Sequence, residues 1–114
     1  MQTLGVVVRL FPAILSGEKR STIRFREIRM VPGFMRYVVD GDPTRTAVVF
    51  VTRCTDMPLS RAAAFVGRED DWPRDVMMAG MREHYPDIGW DDPVQVVEHL
   101  SPQESSRIAG YPVG

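Results

Sequence analysis

The sequence predicts a small α+β protein, mainly β with helices, built as a mixed-pairing β-barrel decorated by helical segments. Three observations carry this. Four β-rich stretches crowd the first half of the chain, Pro58 opens a helical half, and one further strand pattern follows. That is more strand than a βαβ fold would show.

Residues 4–10 are apolar and β-branched and read as a buried first strand. Phe11-Pro12 ends it. Pro12 suits the first turn of a short helix through Ile14 and Leu15, and Gly17 suits its C-terminal cap. Residues 21–26 alternate like a strand. Residues 27–35 contain Pro32 and Gly33 and read as a loop. Residues 36–40 and 45–55 form two strands joined by a hairpin turn at Gly41-Asp42-Pro43-Thr44, and Ala47-Val48-Val49-Phe50-Val51 is the most strongly β stretch. Ser60 is a candidate cap for a helix over 61–66, ended by Gly67. A second helix is expected over 73–84, stopped at Tyr85-Pro86, with Val76, Met77, Met81 and Tyr85 spaced as a core-facing stripe. Residues 94–100 form a last strand. Residues 1–100 are expected to be one domain and 101–114 an irregular tail.

With 114 residues, a typical chain buries about two thirds of its unfolded surface. No apolar run approaches the ~20 residues of a membrane span, and Arg9 breaks the N-terminal apolar stretch before it could serve as a signal peptide. A cytoplasmic protein with no membrane partner is the expectation. The single Cys54 excludes an internal disulfide, and one Cys with two His is too few for a Cys/His zinc site, so no metal or cofactor is expected.

The net charge of −1 hides an asymmetry: residues 1–57 hold nine basic and five acidic residues, residues 58–114 five basic and ten acidic. Arg20, Arg24, Arg26, Arg29 and Arg36 are offset only by Glu27 within their stretch. Such a patch could grip phosphates. The alternative is that the two halves neutralise each other, which the overall charge favours.

Thirteen of the fourteen basic residues are Arg, and the one Lys is Lys19. Arginine does not give up its proton in a protein, whereas a lysine can once burial or a nearby cation lowers its pKa. Lys19 lies in Gly17-Glu18-Lys19-Arg20-Ser21-Thr22-Ile23-Arg24. In a strand, Thr22 and Arg24 share one face. Lys19 joins them if Gly17-Glu18-Lys19 is a turn, which the glycine permits. An amine could then act as base for a threonine hydroxyl, with a guanidinium beside them. The plain alternative is an ordinary strand threonine with solvated neighbours.

The pattern Gly17-x-Lys19-x-x-Thr22-x-Arg24, after a short helix and opening a strand, resembles the signature of the ASCH domain family, whose fold is similar to the RNA-binding PUA domain. The resemblance runs over about residues 4 to 100 and follows the same order of elements. Within the family, the small bacterial N(4)-acetylcytidine amidohydrolases are the most similar group. The resemblance implies Lys19 and Thr22 as catalytic residues and a Glu in the helical segment, placed at Glu69 or one residue off at Asp70. The pair Gly33-Phe34 departs from the Gly-Asp found in many members, and the segment after Ser101 has no counterpart. Thr22 would attack the acetyl carbonyl with Lys19 as base, Glu69 would shuttle a proton, and a backbone N–H near Gly17 or the Arg24 guanidinium would stabilise the oxyanion. Arg20, Arg24 and Gly17 are the expected substrate-binding residues, with Trp72, Tyr37 or Phe25 stacking the pyrimidine. The substrate would be a small nucleoside. RNA is the alternative partner, bound or cleaved without deacylation. A third reading is an interaction module that keeps only the barrel. His84 and His99 are expected to be structural.

Overall fold

The computed structural model describes residues 1–112. Five strands and four α-helices follow in the order β1 (Gln2–Val6), α1 (Phe11–Ser16), β2 (Ser21–Arg24), β3 (Gly33–Val39), β4 (Asp42–Pro58), α2 (Leu59–Phe65), α3 (Arg74–His84), β5 (Pro93–His99) and α4 (Pro102–Ser105). The strands hydrogen-bond in the order β1-β3-β4-β5-β2. The sheet is mixed, since β1 runs parallel to β3 and β3 antiparallel to β4. Contacts divide the chain into two compact units, one of Met1–Thr22, Met30–Cys54 and the chain from Val97, the other of Ile23–Arg29 and Thr55–Val96. The sequence shows no boundary of this kind, because each unit is assembled from separate pieces of chain, and β2, β4 and β5 each contribute residues to both.

The first unit has its own core. Leu4 and Val6 of β1, Met35, Tyr37 and Val39 of β3, and Ala47, Val49 and Val51 of β4 alternate inward with a period of two. Phe11 and Ile14 close it from α1. β1 starts earlier and ends sooner than predicted: Gln2, Thr3 and Gly5 are not buried, so it is a half-exposed strand, and Val8–Leu10 forms a 3-10 turn leading into α1. The β3–β4 turn is tighter than predicted, at Asp40-Gly41. Gly41 takes a left-handed φ of 81°, and a register shift after Val38 places Pro43 in β4 where no ladder donor is required.

The segment after Ser101 is regular only at its start, not irregular throughout as expected. Pro102–Ser105 forms α4 with a reciprocal capping box between Ser101 and Glu104. The Ser105 hydroxyl accepts from the Phe50 N–H at 2.8 Å and donates to the Ser101 carbonyl at 2.6 Å, so α4 is tied to β4. The sequence signal, Ser-Pro-x-Glu, was present but short.

In the second unit Phe25, Leu59, Ala62, Ala63, Met77, Ile88, Val94 and Val96 form the core. α2 starts at Leu59, one residue before the predicted Ser60 cap. Its first N–H groups are satisfied by loop carbonyls instead, Leu59 N–H by Asp92 at 2.9 Å and Ser60 N–H by Trp90 at 2.8 Å, so no side-chain cap is required. α3 has the predicted extent within one residue. It buries Met77, while Val76 of the expected stripe faces outward.

Candidate active site

Gly17 ends α1 with φ 83°, the left-handed cap that its lack of a Cβ allows. Its N–H donates to Ile14 O at 3.1 Å and the Lys19 N–H donates to Ala13 O at 2.9 Å. These bonds turn the chain back so that β2 starts at Ser21. The expected turn is therefore present, and it folds the Lys19 side chain onto β2, where Nζ donates to the Ser21 carbonyl at 2.7 Å. Thr22 follows directly and is 5% exposed. An amine that donates one N–H to a carbonyl is oriented by it.

The same bonds correct one expectation. The N–H groups of Gly17 and Lys19 are committed to helix carbonyls, and that of Glu18 to Ser16 Oγ at 3.3 Å. None of the three can serve as an oxyanion donor without dismantling the cap. Arg20, expected to bind substrate, is also engaged: Nε donates to Gly17 O at 3.0 Å, and a terminal nitrogen pairs with Glu104 at 2.8 Å. The Ser101 amide and hydroxyl, followed by Arg20, hold the Glu104 carboxyl below its usual range.

Beside this turn lies a buried polar pair of Tyr37, a stacking candidate from the sequence, and His99, expected to be structural. Tyr37 is fully buried and His99 3% exposed. His99 Nδ1 lies 2.9 Å from Leu100 O, and a carbonyl only accepts, so Nδ1 carries the proton. Nε2 then accepts from the Tyr37 hydroxyl at 2.8 Å. The His99 N–H also donates to Arg20 O at 2.9 Å, which joins β5 to β2 at the motif. Burial, with the nearby Lys19 and Arg20 charges adding to it, pushes His99 down to about 4. Tyr37 is thus occupied in the core rather than presented for stacking. The expectation that His99 is structural agrees with this.

In the second unit, Arg24 pairs with Glu27 at 3.4 Å, and the Tyr85 hydroxyl donates to the same carboxylate. Phe25 packs edge-on against Tyr85, and Arg26 lies over the Phe25 ring. Burial first, and the Glu27 carboxylate next, push the Tyr85 phenol up to about 12. Glu69 and Asp70 are exposed, in the turn between α2 and α3 rather than on a helix. Trp72 is half-buried against that unit's core, with Arg68 over its ring.

The basic run is largely matched. Arg20 pairs with Glu104, Arg24 with Glu27, and Arg29 with Asp56 at 2.6 Å. Among the described residues no group of three His, Cys, Asp or Glu could hold a metal ion, and no helix is long and apolar enough to cross a membrane.

No protein-family model matches the sequence, and no curated protein matches it. The structure is similar to the crystal structure of ZmASCH from Zymomonas mobilis, solved as a tyrosine-to-phenylalanine mutant, with a TM-score of 0.64 at 11% identity. The match covers 86% of this chain and 67% of that one. At that identity the likeness is one of fold, and the chain has the α+β, PUA-like fold of an ASCH protein.

Proposed function

We propose that the protein is a metal-independent amidohydrolase that removes the acyl group from N(4)-acetylcytidine-type nucleosides. The observation that carries this reading is the Lys19 turn: the chain's one lysine amine is held 2.7 Å from the carbonyl of Ser21, next to Thr22. The ASCH-like fold agrees with it.

In this reading the Thr22 hydroxyl attacks the acetyl carbonyl carbon as the neutral Lys19 amine takes its proton. Arg24 would stabilise the developing oxyanion, a role the committed N–H groups of the turn leave to it. Glu69 relays the proton taken up by Lys19 to the N(4) nitrogen as the C–N bond breaks, and cytidine leaves. Water then attacks the acetyl ester on Thr22, giving up a proton to the Lys19 amine, which passes it to the departing Thr22 oxygen. Acetate leaves and the threonine hydroxyl is restored. The carboxylate pairing of Arg20 and Arg29 weakens the RNA-binding alternative, which needs cations available to phosphates.

The test compares Thr22→Ser with Thr22→Val, following cytidine release from N(4)-acetylcytidine. The serine variant should keep measurable turnover and the valine variant should lose it while staying folded. Turnover by Thr22→Val at the wild-type rate would remove Thr22 as nucleophile.

A further inference from the structure

The segment from Ser101 onward has no assigned role, yet three of its residues bear on the Lys19 turn. Gln103 Nε2 donates to Leu15 O at 2.7 Å, satisfying a carbonyl in the last turn of α1. Glu104 pairs with Arg20 at 2.8 Å, and Arg20 Nε holds Gly17 O at 3.0 Å. Ser101 is buried and packs so closely that a Cβ added at Gly17 would lie 3.0 Å from its Cβ. The capping box ties Ser101 to Glu104, and Ser105 ties both to the Phe50 amide. Residues 15, 17 and 20, the frame of the turn that carries Lys19, are therefore each held from α4 or its cap.

We propose that α4 is a positioning element for Lys19: Gln103 and Glu104, seated by Ser101 and Ser105, fix the Leu15–Arg20 turn and so keep the amine on the Ser21 carbonyl. Its catalytic consequence rests on the proposed deacylation, but the positioning itself does not. Without these contacts the last turn of α1 loses a carbonyl partner and Arg20 loses its anchor. The turn then samples other conformations, and Nζ leaves Ser21 O for part of the time.

The chain's single lysine makes this measurable without turnover. An amine-reactive anhydride labels Lys19 and the Met1 amine alone, and the Met1 amine is an internal reference. The variant is Gln103→Ala with Glu104→Gln, both at the surface, so folding is not at risk from a lost core contact. Lys19 labelling relative to Met1 should rise about three- to tenfold, the range expected when one or two hydrogen bonds of ordinary strength are released. A purely structural role would lower the thermal midpoint and leave the labelling ratio of the folded protein unchanged, and that result would overturn the proposal. With N(4)-acetylcytidine, kcat should fall with KM nearly constant. If the wild type shows no turnover, the deacylase reading fails, and the labelling ratio still decides the positioning claim.

Discussion

Acidification from pH 6.5 to pH 4 should weaken the fold through one side chain, His99. The ring is 3% exposed, carries its proton on Nδ1 toward Leu100 O, and accepts from Tyr37 on Nε2. A second proton would have to displace the Tyr37 donor and place a cation in the core beside Lys19 and Arg20. The ring therefore titrates near 4 in the folded chain against about 6.5 when unfolded. Between those values the unfolded chain binds more protons, so stability rises with pH. The contribution is complete above 6.5 and is lost progressively as pH falls toward 4. At about 1.4 kcal/mol per pH unit, the span amounts to about 3 kcal/mol, a large part of the ~5–15 kcal/mol of a typical domain. Urea unfolding at intervals from pH 7 to pH 4 measures it. His99→Gln removes the titration, at a cost of about 1–3 kcal/mol at pH 7 from the broken buried bonds. Carboxylates held low, such as Asp56 and Glu104, weaken the fold over the acid end in both proteins and cancel in the difference. The wild type should lose about 3 kcal/mol more than the variant over this range. Parallel losses in the two proteins would show that His99 is not held neutral by its burial.

Gly17→Ala places a Cβ at φ 83° and within 3.0 Å of Ser101 Cβ, so thermal unfolding should show a loss of about 1–3 kcal/mol, where Glu18→Ala changes little. Tyr85 titrates near 12 rather than 10, so its contribution is present below pH 10 and lost as pH rises toward 12. Alkaline absorbance titration should show this late step, and Tyr85→Phe should remove it. Glu69→Gln should cut the rate of cytidine release at least tenfold with little change in stability, since the side chain is exposed.

Much of the local structure was legible because it rests on local chemistry. Pro12 and Gly17 bracket α1, the Gly41 turn joins β3 to β4, and Tyr85-Pro86 stops α3. The failures share a cause in tertiary partners. Residues 4–10 read as one strand because apolar composition alone does not register that Val7 opens a 3-10 turn. Ser60 was a good cap by type, but carbonyls from Trp90 and Asp92, some thirty residues away, cap α2 in its place. α4 was missed because a four-residue helix has almost no periodicity, and only its capping box marks it. At the site, the Gly17–Lys19 turn followed from glycine's freedom. That its N–H groups are consumed by α1 did not, nor did the Tyr37–His99 bond across 62 residues of chain.

The most direct test of the central claim is cytidine release from N(4)-acetylcytidine by the wild type beside Lys19→Arg, with both shown to be folded. Arginine keeps the charge and most of the bulk but cannot act as a base. Turnover is expected in the wild type and its loss in the variant. Equal turnover by both, or none by the folded wild type, would contradict that claim.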